Sequence, residues 1–173
     1  MRFIKCDCTH TDEAYSMYER TVKYLVQNIN YPKWSKEHPS REYVEEAAKD
    51  GRLFACVDEG KILGAVVLSE DPEGCYELGD WKKELKAGEF LCVHILAVDP
   101  KYSRRGIGGF MADGIIGFAK ENGYRAIRLD IVPDNLPAKR LYESRGFTSA
   151  GCWDLKRNID FIPIFELYEL NFE

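Results

Sequence analysis

The sequence predicts an α+β (mixed α/β) fold in which a mixed sheet of about seven strands is flanked by about four helices. Two stretches, 93–119 and 125–146, each run from a strand pattern into a helix pattern. Two further apolar runs, Leu53–Asp58 and Ile62–Ser69, flank a short polar turn, which is typical of a hairpin. In chain order the patterns give β-α-α-β-β-β-α-β-α-β-β, and the length suits a single domain over residues 1–173.

The first half of the chain supplies a strand, two helices and the hairpin. Residues 2–8 have a strand pattern. Thr11-Asp12 is a good N-cap for a helix that continues to about Asn28, because its side-chain oxygens can accept hydrogen bonds from the first amides. Ser40 is expected to cap a second helix through Lys49 in the same way.

The segment 71–89 fits neither a strand nor a helix. It carries six acidic residues together with Tyr76 and Trp81. One interpretation is a solvated loop. The other is a substrate wall, in which the acids attract an ammonium group and the two rings offer apolar or cation–π surface.

The third helix has the clearest amphipathic pattern. Its apolar positions recur at intervals of three and four residues: Ile107, Phe110, Met111, Gly114, Ile115, Phe118 and Ala119. Gly123 is expected to end this helix in the left-handed conformation. A fourth helix begins at the cap Asp134-Asn135, with Pro137 in its first turn, and ends before Gly146.

Two strands are predicted at the end of the chain, from Phe147 to Trp153 and from Phe161 to Phe172. Pro163 cannot donate to a ladder, so we expect a bulge or an edge in the last strand. An exposed edge here would pair between chains, and this is the route by which we expect a homodimer.

Composition and charge limit the classes of partner. A net charge of −5 and a pI near 5.4 argue against a nucleic-acid or anionic-membrane surface. No apolar run reaches membrane-spanning length, and Met1–Lys5 turns polar too early for a signal peptide, so we expect a cytoplasmic protein. The six cysteines form no Cys-x-x-Cys pair, and we expect reduced thiols and no metal site.

The turn between the fourth strand and the third helix is suited to binding phosphate. Gly106, Gly108 and Gly109 let the backbone approach a ligand, and the first turn of the helix has unpaired amides. The charges of Arg104 and Arg105 and the helix dipole favour an anion. The alternative is a tight turn with two solvated arginines.

Two common phosphate-binding loops do not fit this turn. A Walker loop needs Gly-Lys-Ser/Thr at its end, whereas Gly109 is followed by Phe110-Met111. A dinucleotide-binding turn needs a glycine where Met111 stands, although Asp130 lies at a suitable distance for its ribose-binding acid. Residues 100–105 also separate the strand from the glycines.

A third family fits. Ser103 to Gly108 resembles the acyl-CoA-binding signature Gln/Arg-x-x-Gly-x-Gly/Ala of the GCN5-related N-acetyltransferases, with serine in place of the first residue. Asn135 to Phe147 is similar to a second pattern of that family, Asn-x-x-Ala-x-x-Leu-Tyr-x-x-x-Gly-Phe, without a gap. The resemblance covers about residues 90–150 and implies the acyl-CoA N-acyltransferase fold of this family (GNAT).

The resemblance also implies an activity. It implies an enzyme that transfers the acetyl group of acetyl-CoA directly to a primary amine in a ternary complex, without a metal. The acceptor is then a small amine or a peptide amine. A non-catalytic acyl-CoA sensor or structural module of the same fold is the alternative.

By the same resemblance, several residues of this sequence contact the cofactor. The backbone of Leu96, Ala97 and Val98 pairs with the pantetheine arm. Asn135 bonds the arm or a water near it. The pyrophosphate is held by six residues of the turn: Arg104, Arg105, Gly106, Ile107, Gly108 and Gly109.

Tyr142 matches the general acid of the family, and by the same resemblance it also contacts the cofactor. A phenol with a reference pKa of about 10 is protonated at neutral pH and can donate to a thiolate. The alternative is a core tyrosine between helix and sheet. His94 stands where many members have a glutamate base, and an imidazole with a pKa near 6.5 suits that role, although a lone strand histidine is more often a satisfied core residue. Glu77 and Glu89 are rival bases, and a partly neutral amine needs none.

Overall fold

The computed structural model describes residues 1–159 and 161–173. Over these residues the predicted order of elements is confirmed. The strands and helices are β1 (Arg2–Lys5), α1 (Thr11–Gln27), α2 (Arg41–Lys49), β2 (Leu53–Asp58), β3 (Lys61–Ser69), β4 (Phe90–Val98), α3 (Ile107–Glu121), β5 (Ala126–Ile131), α4 (Leu136–Glu143), β6 (Thr148–Trp153) and β7 (Phe165–Asn171). Short 3-10 helices at Cys8–His10, Tyr76–Leu78 and Pro100–Tyr102 complete the described secondary structure.

The strands form a mixed sheet in the order β1-β2-β3-β4-β5-β7-β6. β4 and β5 are parallel, whereas β1–β2, β2–β3, β5–β7 and β6–β7 are antiparallel pairs. Because β7 lies between β5 and β6, the prediction that the last strand is an exposed edge is wrong. Pro163 precedes the first residue of β7 and does not interrupt it. The last strand therefore offers no edge for a homodimer.

The helix caps show where local sequence decides structure. Ser40 caps α2 and Asn135 caps α4, each accepting a hydrogen bond from the amide three residues ahead, at 3.1 and 3.3 Å. The predicted cap Thr11-Asp12 is wrong, because Thr11 is already the first residue of α1. Asp7 instead caps the short helix Cys8–His10, which also ends the first strand earlier than expected.

The described residues form two compact units. Unit 1 comprises Met1–Asn30, Trp34–Leu68 and His94–Gly114. Unit 2 comprises Tyr31–Lys33, Ser69–Val93 and Ile115–Glu173. The prediction of a single domain over 1–173 stays a prediction.

In unit 1, α1 and α2 bury their apolar faces against the first strands. Met17, Tyr18 and Leu53 are among the largest side chains in this core, and alanines of both helices fill the space between them. Burying side chains of this size stabilises a fold by roughly 1.5–3 kcal/mol each.

One partly buried ion pair in unit 1 joins α1 to the residue that follows β4. The Nε and Nη2 of Arg20 donate to the same carboxylate oxygen of Asp99 at 2.9 and 2.7 Å. The other oxygen of Asp99 accepts from the amide of Lys101 at 3.0 Å and starts the short helix Pro100–Tyr102. The side chain of Asp99 is 1% exposed, so this carboxylate depends on its partners for stabilisation.

In unit 2, the segment 71–89, which we term the strap, is tied to the sheet. Tyr76 is 2% exposed, and its hydroxyl donates to Asp130 at 2.6 Å. Arg157 donates to both carboxylate oxygens of Asp130, at 2.8 and 2.7 Å, and to the carbonyl of Glu73 at 2.7 Å. Tyr76 therefore faces the interior, where it offers no surface to a substrate. Most acidic residues of the strap are exposed, which fits the solvated-loop interpretation for those positions.

The second aromatic ring of the strap, that of Trp81, packs against a side chain of β5. The guanidinium of Arg128 lies between the rings of Trp81 and Phe90, 4.2 and 4.4 Å from their centroids. The amide of Lys82 donates to the carboxylate of the buried Glu169 at 2.9 Å. The strap, whose only described helix is the short Tyr76–Leu78, thus covers charged side chains of β5 and β7.

The Arg20–Asp99 pair gives a stability prediction. Arg20→Met removes both donors and leaves a buried carboxylate with one remaining partner, so we expect the free energy of unfolding to fall by about 2–3 kcal/mol. Urea denaturation measures this free energy of unfolding. Arg41→Met is the matched control, because Arg41 forms exposed ion pairs with Asp12 and Glu45. This substitution should change the free energy of unfolding by no more than the error of the measurement. Equal effects of the two substitutions would contradict the role given to Asp99.

Candidate functional site

β4 changes conformation in its middle. Its parallel pairing with β5 runs from Phe90 to Val93, and His94 is the next residue. Ile95 has a φ of +48°, a left-handed value that is rare for a β-branched residue and costs conformational energy. Leu96–Val98 lie beyond the paired stretch. The apolar run of the sequence gives no signal for this break.

The turn after β4 is shaped by two further left-handed residues. The short helix Pro100–Tyr102 leads to Arg104 with a φ of +62° and Gly106 with a φ of +75°. α3 then begins at the buried Ile107. A Cβ added to Gly106 would meet no atom within 4 Å, so its backbone lies open on one side.

The start of α3 presents donors and positive charge together. The amide of Phe110 donates to the carbonyl of Gly106 at 3.0 Å, so the amides of residues 107–109 precede the first intrahelical bond. Arg104 and Arg105 are exposed, and the guanidinium of Arg105 lies 5.5 Å from the centroid of the Tyr102 ring. The structure brings the predicted turn residues onto one loop that is suited to an anion.

A glycine that sequence analysis did not single out allows this geometry. A Cβ at Gly64 in β3 would lie 2.6 Å from the carbonyl oxygen of Ala97 and 2.6 Å from the sulfur of Met111. Only glycine therefore lets β3 approach β4 and α3 this closely. An isolated glycine inside a strand pattern is the signal that would have indicated close approach.

The three candidate bases differ in their surroundings. His94 is 8% exposed on β4, at the end of the stretch paired with β5. Glu89 accepts from the amide of Lys86 and from Arg125, both at 2.7 Å, and these bonds lower the pKa of its carboxyl. Glu77 is exposed in the short helix of the strap. The bonded Glu89 is a weak proton acceptor.

Tyr142 lies in α4 and is 5% exposed. Its ring contacts Phe147 edge to face, with centroids 5.2 Å apart. Burial, reinforced by the charge of Asp130, raises the pKa of Tyr142 well above its usual value, so the phenol stays protonated. Among the residues that the structure describes, none accepts a hydrogen bond from its hydroxyl. The packing fits a core tyrosine, whereas a hydroxyl without a hydrogen-bond acceptor among the described residues fits a proton donor.

Asn135 has a structural use as well. Its Oδ1 caps α4 by accepting from the amide of Ala138. The described residues provide no acceptor for its Nδ2, which can still donate to a ligand. Asn135 and Tyr142 belong to unit 2, whereas His94, Leu96–Val98 and the turn belong to unit 1.

The described residues contain no group of three or more His, Cys, Asp or Glu side chains placed to hold a metal ion. None of their helices is long and apolar enough to cross a membrane.

A family model and two curated relatives align with most of the chain. A model of the acetyltransferase (GNAT) family matches residues 14–147. An uncharacterized N-acetyltransferase of Methanocaldococcus jannaschii is 26% identical over 133 residues, 77% of this chain and 52% of the relative. YitH, an uncharacterized N-acetyltransferase of Bacillus subtilis, is 29% identical over 140 residues, 81% of this chain and 42% of the relative. The chain thus spans about half the length of these curated relatives.

A solved structure shares the fold. The acetyltransferase of the GNAT family from Streptococcus agalactiae superposes with a TM-score of 0.81 at 16% identity, over 99% of this chain and 95% of that one. An identity this low shows the fold alone, and the predicted fold class is confirmed. Since the family model covers well over half of the chain, the chain belongs to the GNAT family of acetyltransferases.

Proposed function

We propose that this protein is an N-acetyltransferase that moves the acetyl group of acetyl-CoA to a primary amine by direct transfer. The observation that carries the proposal is the loop at the start of α3, which combines open backbone donors with Arg104 and Arg105 directly after the broken strand β4. Family membership and the names of the two curated relatives support it. The acceptor we propose is a small amine or a peptide amine.

The residues of unit 1 fit the chemistry of CoA. A pyrophosphate needs several amide donors and positive charge without bulky side chains, and residues 104–109 provide all three. The pantetheine arm carries two amides that need backbone partners, and Leu96–Val98 lie beyond the stretch of β4 that pairs with β5. Acetyl-CoA supplies the activated thioester. We propose that these residues hold it and that no metal takes part.

We propose Tyr142 as the general acid. The departure of a thiolate is favoured when a neutral donor supplies a proton as the carbon–sulfur bond breaks. The Tyr142 hydroxyl keeps its proton because burial opposes the phenolate, and its hydrogen-bonding capacity is unused by described residues. Asn135 is proposed to donate its Nδ2 hydrogens to the pantetheine arm or a water beside it.

For the base we propose His94. An imidazole accepts a proton near neutral pH, which the carboxylate of Glu89 does less readily because its bonds to Lys86 and Arg125 stabilise the anion. The deprotonated amine is then the nucleophile. A protein that binds acetyl-CoA without turnover, as a sensor, is the second candidate, and the kinetics below separate the two.

The cofactor loop gives the first test of this function. Gly108→Glu places bulk and negative charge in the proposed cradle, so the Kd for acetyl-CoA should rise about 100-fold or more. Gly117→Glu is the matched control on the same helix, because a Cβ at Gly117 meets no atom within 4 Å. Titration calorimetry measures the Kd for acetyl-CoA of wild type and of the two variants.

The outcomes separate the possibilities. Tight binding by wild type and by the Gly117→Glu variant, with loss in Gly108→Glu, supports the cradle. Equal affinity of both variants would place acetyl-CoA elsewhere. Failure of wild type to bind would remove the transferase and the sensor together.

Tyr142→Phe tests the acid. The substitution removes one oxygen and keeps the ring contact with Phe147, so we expect kcat to fall about 100-fold while the Kd for acetyl-CoA changes less than twofold. Release of the CoA thiol measures kcat with a panel of amines. Because burial raises the pKa of Tyr142, wild-type kcat should show no loss from ionisation of Tyr142 as the pH rises from 7 to its ordinary value of 10.

Two results would contradict this assignment. An unchanged kcat in Tyr142→Phe would show that another group protonates the thiolate. Binding of acetyl-CoA by wild type, with no thiol released for any class of amine, would favour the sensor.

A further inference from the structure

The helix that carries Tyr142 is too short to hold itself in place. α4 has eight residues, Leu136–Glu143, or about two turns, and isolated helices of this length are unstable in water. Its position and rotation must therefore be set by contacts outside the helix. The cap by Asn135 fixes the first turn only.

The second turn is joined to β7 by a partly buried polar cluster, in which Tyr168 and Glu166 are buried and Glu143 is exposed. The hydroxyl of Tyr168 lies 3.1 Å from Oε1 of Glu143 and 3.1 Å from Oε1 of Glu166. The Nζ of Lys139 lies 3.3 Å from both carboxylate oxygens of Glu166. Two residues of α4, four positions apart, are thus joined to two residues of β7. Tyr142 is the neighbour of one of them, Glu143.

The hydroxyl proton of Tyr168 has two possible acceptors. A hydroxyl has one proton to give, and two carboxylates compete for it. Glu166 already receives the charge of Lys139, whereas Glu143 has Tyr168 as its hydrogen-bond donor within α4 and β7. Burial and the two carboxylates raise the pKa of Tyr168, so the hydroxyl remains a donor. The hydroxyl is equally close to Glu166, and donation to Glu143 is the arrangement that gives each carboxylate one partner, with Lys139 paired to Glu166.

We infer that Tyr168 is a positioning residue for Tyr142: by donating to Glu143 it fixes the last turn of α4, and with it the direction of the neighbouring phenol. Tyr168 is 0% exposed and does not itself meet a substrate. The inference rests on the proposed function for the meaning of Tyr142 as an acid. Its structural part, the coupling of Tyr168 to Tyr142, stands independently of turnover.

Tyr168→Phe tests the inference by removing one oxygen atom while keeping the buried ring. We expect kcat to fall about tenfold, with the KM and Kd for acetyl-CoA changed less than twofold, since the loop of residues 104–109 lies on other elements. Tyr124→Phe is the matched control. It also removes a hydroxyl bonded to a carboxylate, that of Glu70 at 2.9 Å, but lies outside α4 and β7. Its kcat should equal that of wild type.

A double-mutant cycle distinguishes positioning from general loss of structure. If Tyr168 acts through Tyr142, adding Tyr168→Phe to Tyr142→Phe causes no further loss of kcat. A tenfold further loss, or an unchanged kcat in Tyr168→Phe alone, would overturn the inference. An unchanged kcat in Tyr142→Phe would overturn both this inference and the role of Tyr142 as the acid. It would not contradict the proposed acetyltransferase activity.

Nuclear magnetic resonance of tyrosine labelled at Cζ gives a readout that needs no activity. The Tyr142 resonance should shift or broaden in Tyr168→Phe and stay unchanged in Tyr124→Phe. If wild type binds no acetyl-CoA, the Tyr142 resonance alone tests whether Tyr168 is coupled to Tyr142. An unchanged Tyr142 resonance in Tyr168→Phe overturns that coupling.

Discussion

The break in β4 is the constraint on which the candidate site of unit 1 depends. Pairing with β5 stops at Val93, and the left-handed φ of Ile95 turns the rest of the strand out of the regular ladder. An isoleucine does not adopt this conformation without support, and the surrounding packing must provide it. Ile95 packs against the buried core of unit 1. Gly64 and Asp99 act on the residues that follow it, Gly64 by allowing β3 to approach Ala97 and Asp99 through its hydrogen bonds to Arg20 and Lys101.

The ion pair between Arg20 and Asp99 extends this constraint into the turn. A buried carboxylate that accepts from both a side chain and a backbone amide fixes the direction in which the chain leaves β4. The following left-handed residues, Arg104 and Gly106, then deliver the chain to α3 with its first amides open. Local strain and a buried charge are thus concentrated at one place, as is common where a backbone must hold a ligand.

Much of this architecture follows from local sequence. Ser40 and Asn135 cap their helices because a short polar side chain can satisfy the first amides, and Gly123 and Gly146 adopt positive φ as expected of helix ends. These choices involve residues a few positions apart. The loop over 104–109 was predictable for the same reason.

What the sequence did not reveal depends on contacts between distant residues. The burial of Tyr76 is decided by Asp130 and Arg157, which lie 54 and 81 positions away. The position of β7 inside the sheet, one strand from its edge, follows from pairing with β5 and β6, which its own sequence pattern does not indicate. The break at Ile95 lies in an apolar run that reads as an ordinary strand. Long-range pairing overrides local preference in each case.

The same distinction leads us to expect that the proposed cofactor loop, residues 104–109, tolerates changes of side chain. Its proposed donors are mainly backbone amides, so their arrangement follows the fold rather than side-chain identity. Serine at position 103, where the family signature has glutamine or arginine, changes one side chain and leaves the amides in place. The fold is shared with the Streptococcus agalactiae structure at 16% identity. The role proposed for Tyr142 is different, because a proton donor is a side chain, and we expect its action to depend on the few contacts that hold α4.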